Sequence, residues 1–221
     1  MPIRAVAFDI DGTLYSNAVM YLKSLPFAVS HLRLMLAFSG VRREIRKQRP
    51  ISDIHALEAE MLGERLGCTP EEARERIERQ IYVEWESVLD RVKPYAHARE
   101  CVEGLREAGF AVGVSSDFPV ERKLDRLGLG GLFDCRLWTA DSGYLKPHPE
   151  PFLAISECLG CQPAEILYVG NSYEYDVVGA KRAGMAAAHL SARPKRDTIA
   201  DLTFNDYRTL CAWVRANAAA L

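Results

Sequence analysis

The sequence predicts an α/β protein: a parallel sheet with helices on both faces, interrupted after its first strand by a helical insert. Three observations carry this. Short, wholly apolar runs alternate with helix-patterned segments from residue 93 to the end, the pattern of strands buried on both faces. Residues 17–89 read as almost pure helix. Polar clusters follow the ends of several apolar runs, where open α/β sheets bind their ligands.

Taken in order, residues 3–8 are a strand-length apolar run, and Asp9 to Thr13 are the polar turn after it. Residues 19–38 form the longest apolar stretch. Lys23, Pro26, His31 and Arg33 interrupt it, whereas a membrane span needs ~20 apolar residues with few charges. It reads as a buried helix, or two pieces broken at Pro26. Thr69-Pro70-Glu71-Glu72 is a helix start: a Thr N-cap, Pro at the first position, Glu three after the cap. Glu72 with Arg76 and Glu75 with Arg79 add favourable pairs one turn apart, and Ile77, Ile81 and Trp85 mark the apolar face.

After Pro94, Ala98, Cys101, Val102, Leu105 and Ala108 share one helix face, and Gly109 ends it. Then follow a strand at 110–114, a helix at 120–127, a strand at 133–138 and a helix at 149–159. The last carries Phe152, Ile155, Ser156 and Leu159 inward. A strand at 166–169, a helix at 175–183, a weak strand at 185–190 and a helix at 206–219 complete the chain. The alanines at 216 and 218–220 read as a fraying helix end. The expected division is a core of residues 1–15 and 93–221 with a small helical domain, 16–92, inserted over the sheet.

Composition excludes several classes. The net charge is 28 − 30 = −2, so nothing suggests nucleic acid as partner. A hydrophobic share of 48% excludes disorder. Asp9 and Asp11 interrupt the only early apolar run, so no secretory signal fits, and a cytoplasmic protein that does not enter membranes is expected. The six cysteines form no framework and are expected as free thiols. Cys158 and Cys161 make a CxxC pair without a second ligand pair, so packed thiols are expected there as well.

Four polar clusters converge on one sheet edge if this topology holds. They are Asp9-Ile10-Asp11-Gly12-Thr13, Ser115-Ser116-Asp117, Lys146-Pro147-His148-Pro149, and Gly170-Asn171-Ser172 with Asp176 close behind. Asp9 and Asp11, two apart, point the same way if extended. With Asn171 and Asp176 they offer hard oxygen ligands suited to Mg2+. Lys146 and a serine hydroxyl suit phosphoryl oxygens, and a carboxylate can attack phosphorus to give an acyl phosphate. A calcium loop is excluded, because its fifth and twelfth positions would be Thr13 and Met20.

In order and spacing these residues resemble the haloacid dehalogenase-like hydrolase superfamily over essentially the whole chain. Asp9 to Thr13 are similar to its first motif, Ser116 to its second, Lys146 to its third, and Gly170-Asn171 through Asp176 to its fourth. The insert resembles its α-helical cap of the first class, over a Rossmann-like core. The resemblance implies that Asp9 is the nucleophile and a Mg2+ ligand. Asp11 is then general acid and base, and ligates Mg2+ through its carbonyl. Ser116 and the Asp117 N–H hold phosphoryl oxygens, and Lys146 neutralises charge between Asp9 and the phosphate. Asn171 completes the metal site, and Asp176 ligates through water or orients Lys146. The second Asp separates the family's phosphatases from its dehalogenases.

Two positions depart from the family pattern: Asn171 stands where Asp is usual, and Asp117 where Asn is common. Asn171 loses a charge, so weaker Mg2+ binding is expected. Register favours Ser116 over Ser115 as the phosphate ligand. His148, between prolines, is expected to shape its turn. The basic residues Arg42, Arg43, Arg46, Lys47 and Arg49 read either as attraction for an anionic substrate or as a solvated face. The expected activity is a Mg2+-dependent phosphatase for a small phosphorylated metabolite, in a monomer or homodimer. The alternatives are a phosphomutase or a non-catalytic protein that binds a phosphorylated ligand.

Overall fold

A computed structural model describes residues 3–193 and 195–218. Six parallel strands form one sheet in the order β3-β2-β1-β4-β5-β6. They are β1 (Ala5–Phe8), β2 (Ala111–Ser116), β3 (Cys135–Trp138), β4 (Ile166–Gly170), β5 (Ala186–Leu190) and β6 (Leu202–Phe204). Chain order reverses between β1 and β4, the switch point at which such sheets bind ligands.

Side-chain size sorts the two faces of the sheet. Val6 and Phe8 of β1, with Val112, Val114, Leu167 and Val169, pack against α5 (Ala98–Glu107) and α9 (Tyr207–Ala216). Ala5 and Ala7 face the other way, towards α7 (Pro149–Cys158) and α8 (Gly179–Arg182). On that second face β1 and β2 carry small residues, Ala5, Ala7, Ala111 and Gly113, so α7 approaches closely: a Cβ on Gly113 would lie 3.1 Å from Ile155 Cδ1 and Leu159 Cδ1. Phe152 fills the remaining space against the Tyr168 ring, 4.8 Å between centroids.

Between β1 and β2 lie α1 (Asn17–Ser30), α2 (Leu32–Ile45), α3 (Ile54–Leu66) and α4 (Pro70–Arg76). The last runs on through wide turns at Ile77–Trp85 and a tighter 3₁₀ segment, Glu86–Arg91. The Thr69–Glu72 capping box starts α4. These helices have a hydrophobic cluster of their own, including Leu34, Phe38, Ile45, Leu62, Ile77 and Ile81, which extends to Ala140 and Leu145 beyond β3.

Several expectations are corrected. The first apolar helix does not break at Pro26. Pro26 lies inside α1 on its exposed side, where the carbonyl it leaves without a donor faces water, and the chain turns at His31. Residues 19–38 are not a core stretch either. Met20, Leu34 and Phe38 are buried, but Leu22, Leu25, Val29, Leu32 and Leu36 are exposed, because nothing packs on that side of the bent pair. The two helices meet at 115°, and among the described residues no single helix is long and apolar enough to cross a membrane.

The cysteines are not all free thiols. Cys158 is bonded to Cys135, not matched with Cys161. The sheet brings the start of β3 against the end of α7, a proximity that sequence spacing does not encode. The helix expected at 175–183 starts earlier, as wide turns at Tyr173–Val178 leading into α8. β6 was not anticipated, being only three residues long. α9 ends at Ala216, and Ala218 bridges to Ile3. Ala219 and Ala220, expected as helix end, lie outside the described residues.

Phe152→Ala would empty the space between α7, Tyr168 and Gly179. A loss of about 3–5 kcal/mol is expected in chemical denaturation; a loss below 1 kcal/mol would contradict this packing.

Candidate active site

The register fixes where the polar clusters fall. Phe8 lies opposite both Val114 of β2 and Val169 of β4. The next residues, Asp9, Ser115 and Gly170, therefore lie at one level, where β1 ends and β2 and β4 are about to. Gly12 turns the chain away from β1 with φ +90°, and a Cβ there would collide with the Asn17 and Asn171 amides. Gly is required twice over, for the turn and for the close approach.

Lys146 sits at the centre. Its Nζ donates to Asp9 Oδ1 and to Asp176 Oδ1, both at 2.7 Å, and to the Tyr168 hydroxyl at 3.2 Å. All three charged groups are buried. Thr13 Oγ1 donates to the other Asp9 oxygen at 2.8 Å, and the Ser172 N–H to Asp176 Oδ2 at 2.9 Å. Burial lifts the Asp9 pKa to about 7; Lys146 pulls it down, while Asp176 and Asp11 push it up. The two carboxylates hold Lys146 protonated against the cost of its burial.

Asp11 is gripped by three other side chains. Lys123 Nζ donates to its two oxygens at 2.5 and 2.7 Å, Tyr15 to Oδ1 at 2.5 Å and Ser116 to Oδ2 at 2.6 Å. Burial would raise this carboxyl, but the Lys123 charge and the donated hydrogen bonds outweigh it and hold the pKa below the usual value. Asp11 is therefore an ionised acceptor here, the form a base takes. Ser116 faces Asp11, whereas Ser115 points to the Tyr168 hydroxyl at 2.8 Å. Asn171 Oδ1 accepts from Thr13 Oγ1 at 3.3 Å, which places it beside Asp9.

Asp117 turns its side chain inward. It accepts from Arg46 Nη2 at 2.5 Å, Thr139 Oγ1 at 2.7 Å and the Lys146 N–H at 3.3 Å. Burial opposes its ionisation, but Arg46, Lys146 and Arg42 overcome this and hold it well below the usual carboxylate range. Its carbonyl accepts from Arg42 and from Trp138. Arg46 also reaches the Lys146 carbonyl at 2.9 Å, His148 Nε2 meets the Arg46 carbonyl at 3.0 Å, and Arg49 pairs with Glu150. Arg42 and Arg46 thus bind the loops at the sheet edge, and Arg49 pairs at the start of α7. Arg43, Lys47 and Arg49 are exposed, so the solvated-face reading holds for part of the run.

Asp9, Asp11, Asp117, Asp176, Lys146 and Asn171 line one cavity of about 390 Å³, joined by Asn17, Tyr21, Arg46, Phe118, Ser172 and Tyr175. Lys123, Tyr15, Thr13 and Tyr168 support it from behind and were not assigned from sequence. Lys123 is an ordinary helix lysine by pattern, and only the packing of α6 (Glu121–Arg126) beneath Asp11 reveals it.

A model of the haloacid dehalogenase-like hydrolase family matches residues 3–184. The chain belongs to this family. Among its relatives, a glyceraldehyde 3-phosphate phosphatase from Methanopyrus kandleri is 29% identical over 197 residues, covering 85% of this chain and 84% of that one. A phosphoglycolate phosphatase from Haemophilus influenzae is 26% identical, covering 94% and 96%. In solved structures, a haloacid dehalogenase-like phosphatase from Thermococcus onnurineus superposes with TM-score 0.63 at 25% identity, covering 98% and 99%. A 2-haloacid dehalogenase from Pseudomonas syringae superposes with TM-score 0.70 at 24% identity over 97% and 98%, and shares the fold. This hydrolase carries Asp at both positions of its first motif.

The donors suit a hard cation of small carboxylate demand. Among the described residues, no three His, Cys, Asp or Glu side chains cluster as metal ligands. What lies together is one carboxylate, Asp9, and the Asn171 amide, both bound by Thr13 Oγ1. Mg2+ ordinarily takes one or two carboxylates and keeps several waters. Charge argues the same way: Asp11, Asp117 and Asp176 face Lys123, Lys146 and Arg46, three against three, so Asp9 brings a net negative charge when it ionises.

Two outcomes follow. Folding holds Asp9 protonated above its ordinary value of 3.8, up to about 7. Metal-free protein should therefore lose stability as pH rises between those values, and Asp9→Asn should remove that slope; melting temperature against pH checks it. Lys146→Met leaves two buried carboxylates without their cation. It is expected to cost about 3–5 kcal/mol at pH 7 and less at pH 5, where Asp9 takes up a proton. An equal cost at both pH values would contradict the pairing.

Proposed function

We propose that this hydrolase is a Mg2+-dependent phosphatase of small phosphate monoesters. The carrying observation is the Asp9–Lys146–Asp176 triplet at the end of β1, with Asp11 two residues on. The relatives named for glyceraldehyde 3-phosphate and phosphoglycolate support the substrate class.

In this reading, the Asp9 carboxylate attacks phosphorus, a new P–O bond forms, and the bond to the leaving oxygen breaks. Lys146 favours the ionised form of Asp9 and offsets charge on the transferring group, and Asp176 fixes Lys146 in place. Asp11 lies on the leaving-group side. It gives a proton to the departing alkoxide, then takes one from the water that opens the aspartyl phosphate, restoring Asp9. As an ionised group bound to Lys123, Tyr15 and Ser116, it stands in the form needed for the second step. To act as acid, it must loosen those contacts and take up a proton. Ser116 and the Asp117 N–H receive phosphoryl oxygens. A bound Mg2+ would be held by Asp9, the Asp11 carbonyl, Asn171 and, through water, Asp176, and would neutralise phosphoryl charge. Residues 16–92 act as a cap over the core of 1–15 and 93–221, held by Arg42, Arg46 and Arg49, and exclude water.

Purified protein with Mg2+ and a generic aryl phosphate tests this. Asp9→Asn should remove at least about 10³-fold of the rate, and Asp11→Asn about 10²- to 10⁴-fold. Full activity in Asp9→Asn would exclude this nucleophile. Asn171→Asp should lower the Mg2+ concentration at half-maximal rate; an unchanged or higher value would contradict its place in the metal site.

A further inference from the structure

Besides its charged groups, the cavity is lined by the rings of Tyr21, Phe118 and Tyr175, the amides of Asn17 and Asn171, and Ser172. Among the described lining residues the cations are Lys146 and Arg46, and both are already committed. Lys146 lies between Asp9 and Asp176. Arg46 holds Asp117 Oδ2 at 2.5 Å and the carbonyls of Lys146 and Arg42 at 2.9 and 3.2 Å, with its plane 4.6 Å from the Tyr175 ring. Lys123 and Arg42, one layer behind, are paired with Asp11 and Glu58.

We propose, resting on the phosphatase reading, that this pocket selects phosphate monoesters with an uncharged leaving group and rejects those carrying a carboxylate beside the phosphoryl group. A second anion would lose its water in a cavity where every lining cation already has a carboxylate partner. Burying a charge without a counter-charge costs far more than burying a neutral group of the same shape. Aromatic faces and an amide receive a neutral carbon or hydroxyl-bearing group well. Asp117 sets the preference, because its carboxylate neutralises Arg46, the cation that the insert contributes to the cavity lining. Removing that charge without changing its shape should turn Arg46 into a receptor for an anionic group.

The test compares 2-phosphoglycolate with its carboxamide isostere, two alkyl phosphates of equal size that differ by one charge. Aryl phosphates are left out of this comparison because their better leaving group speeds any phosphatase. With Mg2+, kcat/KM for the amide should exceed that for the carboxylate by about tenfold or more. In Asp117→Asn the ratio should fall by about tenfold or reverse. Equal or higher kcat/KM for the carboxylate in the unsubstituted protein overturns the inference, as does an unchanged ratio in folded Asp117→Asn. Asp9→Asn separates the two readings. If neither these compounds nor the aryl phosphate shows Asp9-dependent turnover, the phosphatase reading fails. Binding of both compounds to Asp9→Asn with Mg2+, measured by calorimetry, then decides the selectivity: tighter binding of the amide supports it, and tighter or equal binding of the carboxylate overturns it.

Discussion

The Lys146 ammonium, buried between Asp9 and Asp176, is the interaction on which the rest of the site depends. A buried ammonium and two buried carboxyl groups are tolerable only with this geometry, one cation shared by two partners at 2.7 Å each. The sheet supplies the geometry. β1 and β4 are neighbours, so Asp9 and Asp176 come from adjacent strand ends, and the loop after β3 brings Lys146 down between them. Tyr168, inside β4, donates nothing to the chemistry but reaches both Lys146 and Ser115, tying β4 to β2 beneath the site.

A second constraint joins the helical insert to this centre. Arg42, Arg46 and Arg49 recur along one side of the segment that ends α2. Arg42 and Arg46 find acceptors at the sheet edge, and Arg49 pairs at the start of α7. Arg46 does most, because a planar guanidinium can hold Asp117, a main-chain carbonyl and an aromatic face at once. The same contact that seats the insert also consumes the charge that an anionic leaving group would seek. In the proposed reading, the seating of the insert and the choice of substrate both depend on the Asp117 carboxylate.

The fold was largely legible because its signals are local. Capping at Thr69, the glycine stops at 109 and 128, and the apolar strands each reflect nearby residues alone. What local pattern could not give was partnership. Residues 19–38 are apolar enough to suggest burial, yet whether a helix face is covered depends on what packs there, and here nothing does. The Cys135–Cys158 bond and the three-residue β6 were missed for a similar reason: both exist only because the sheet brings distant residues together.

At the site, the sequence by itself determined the candidate groups, since Asp9, Asp11, Lys146, Asn171 and Asp176 follow strands in the order of the family's motifs. Tertiary structure alone decided their states. Burial and neighbouring charges lift Asp9, while Lys123, Tyr15 and Ser116 keep Asp11 ionised. Arg46 is neutralised by Asp117 from across the domain boundary. Residue type fixes what a side chain can do, but its protonation and its free partners are set by the groups within a few ångströms, and those are chosen by the fold.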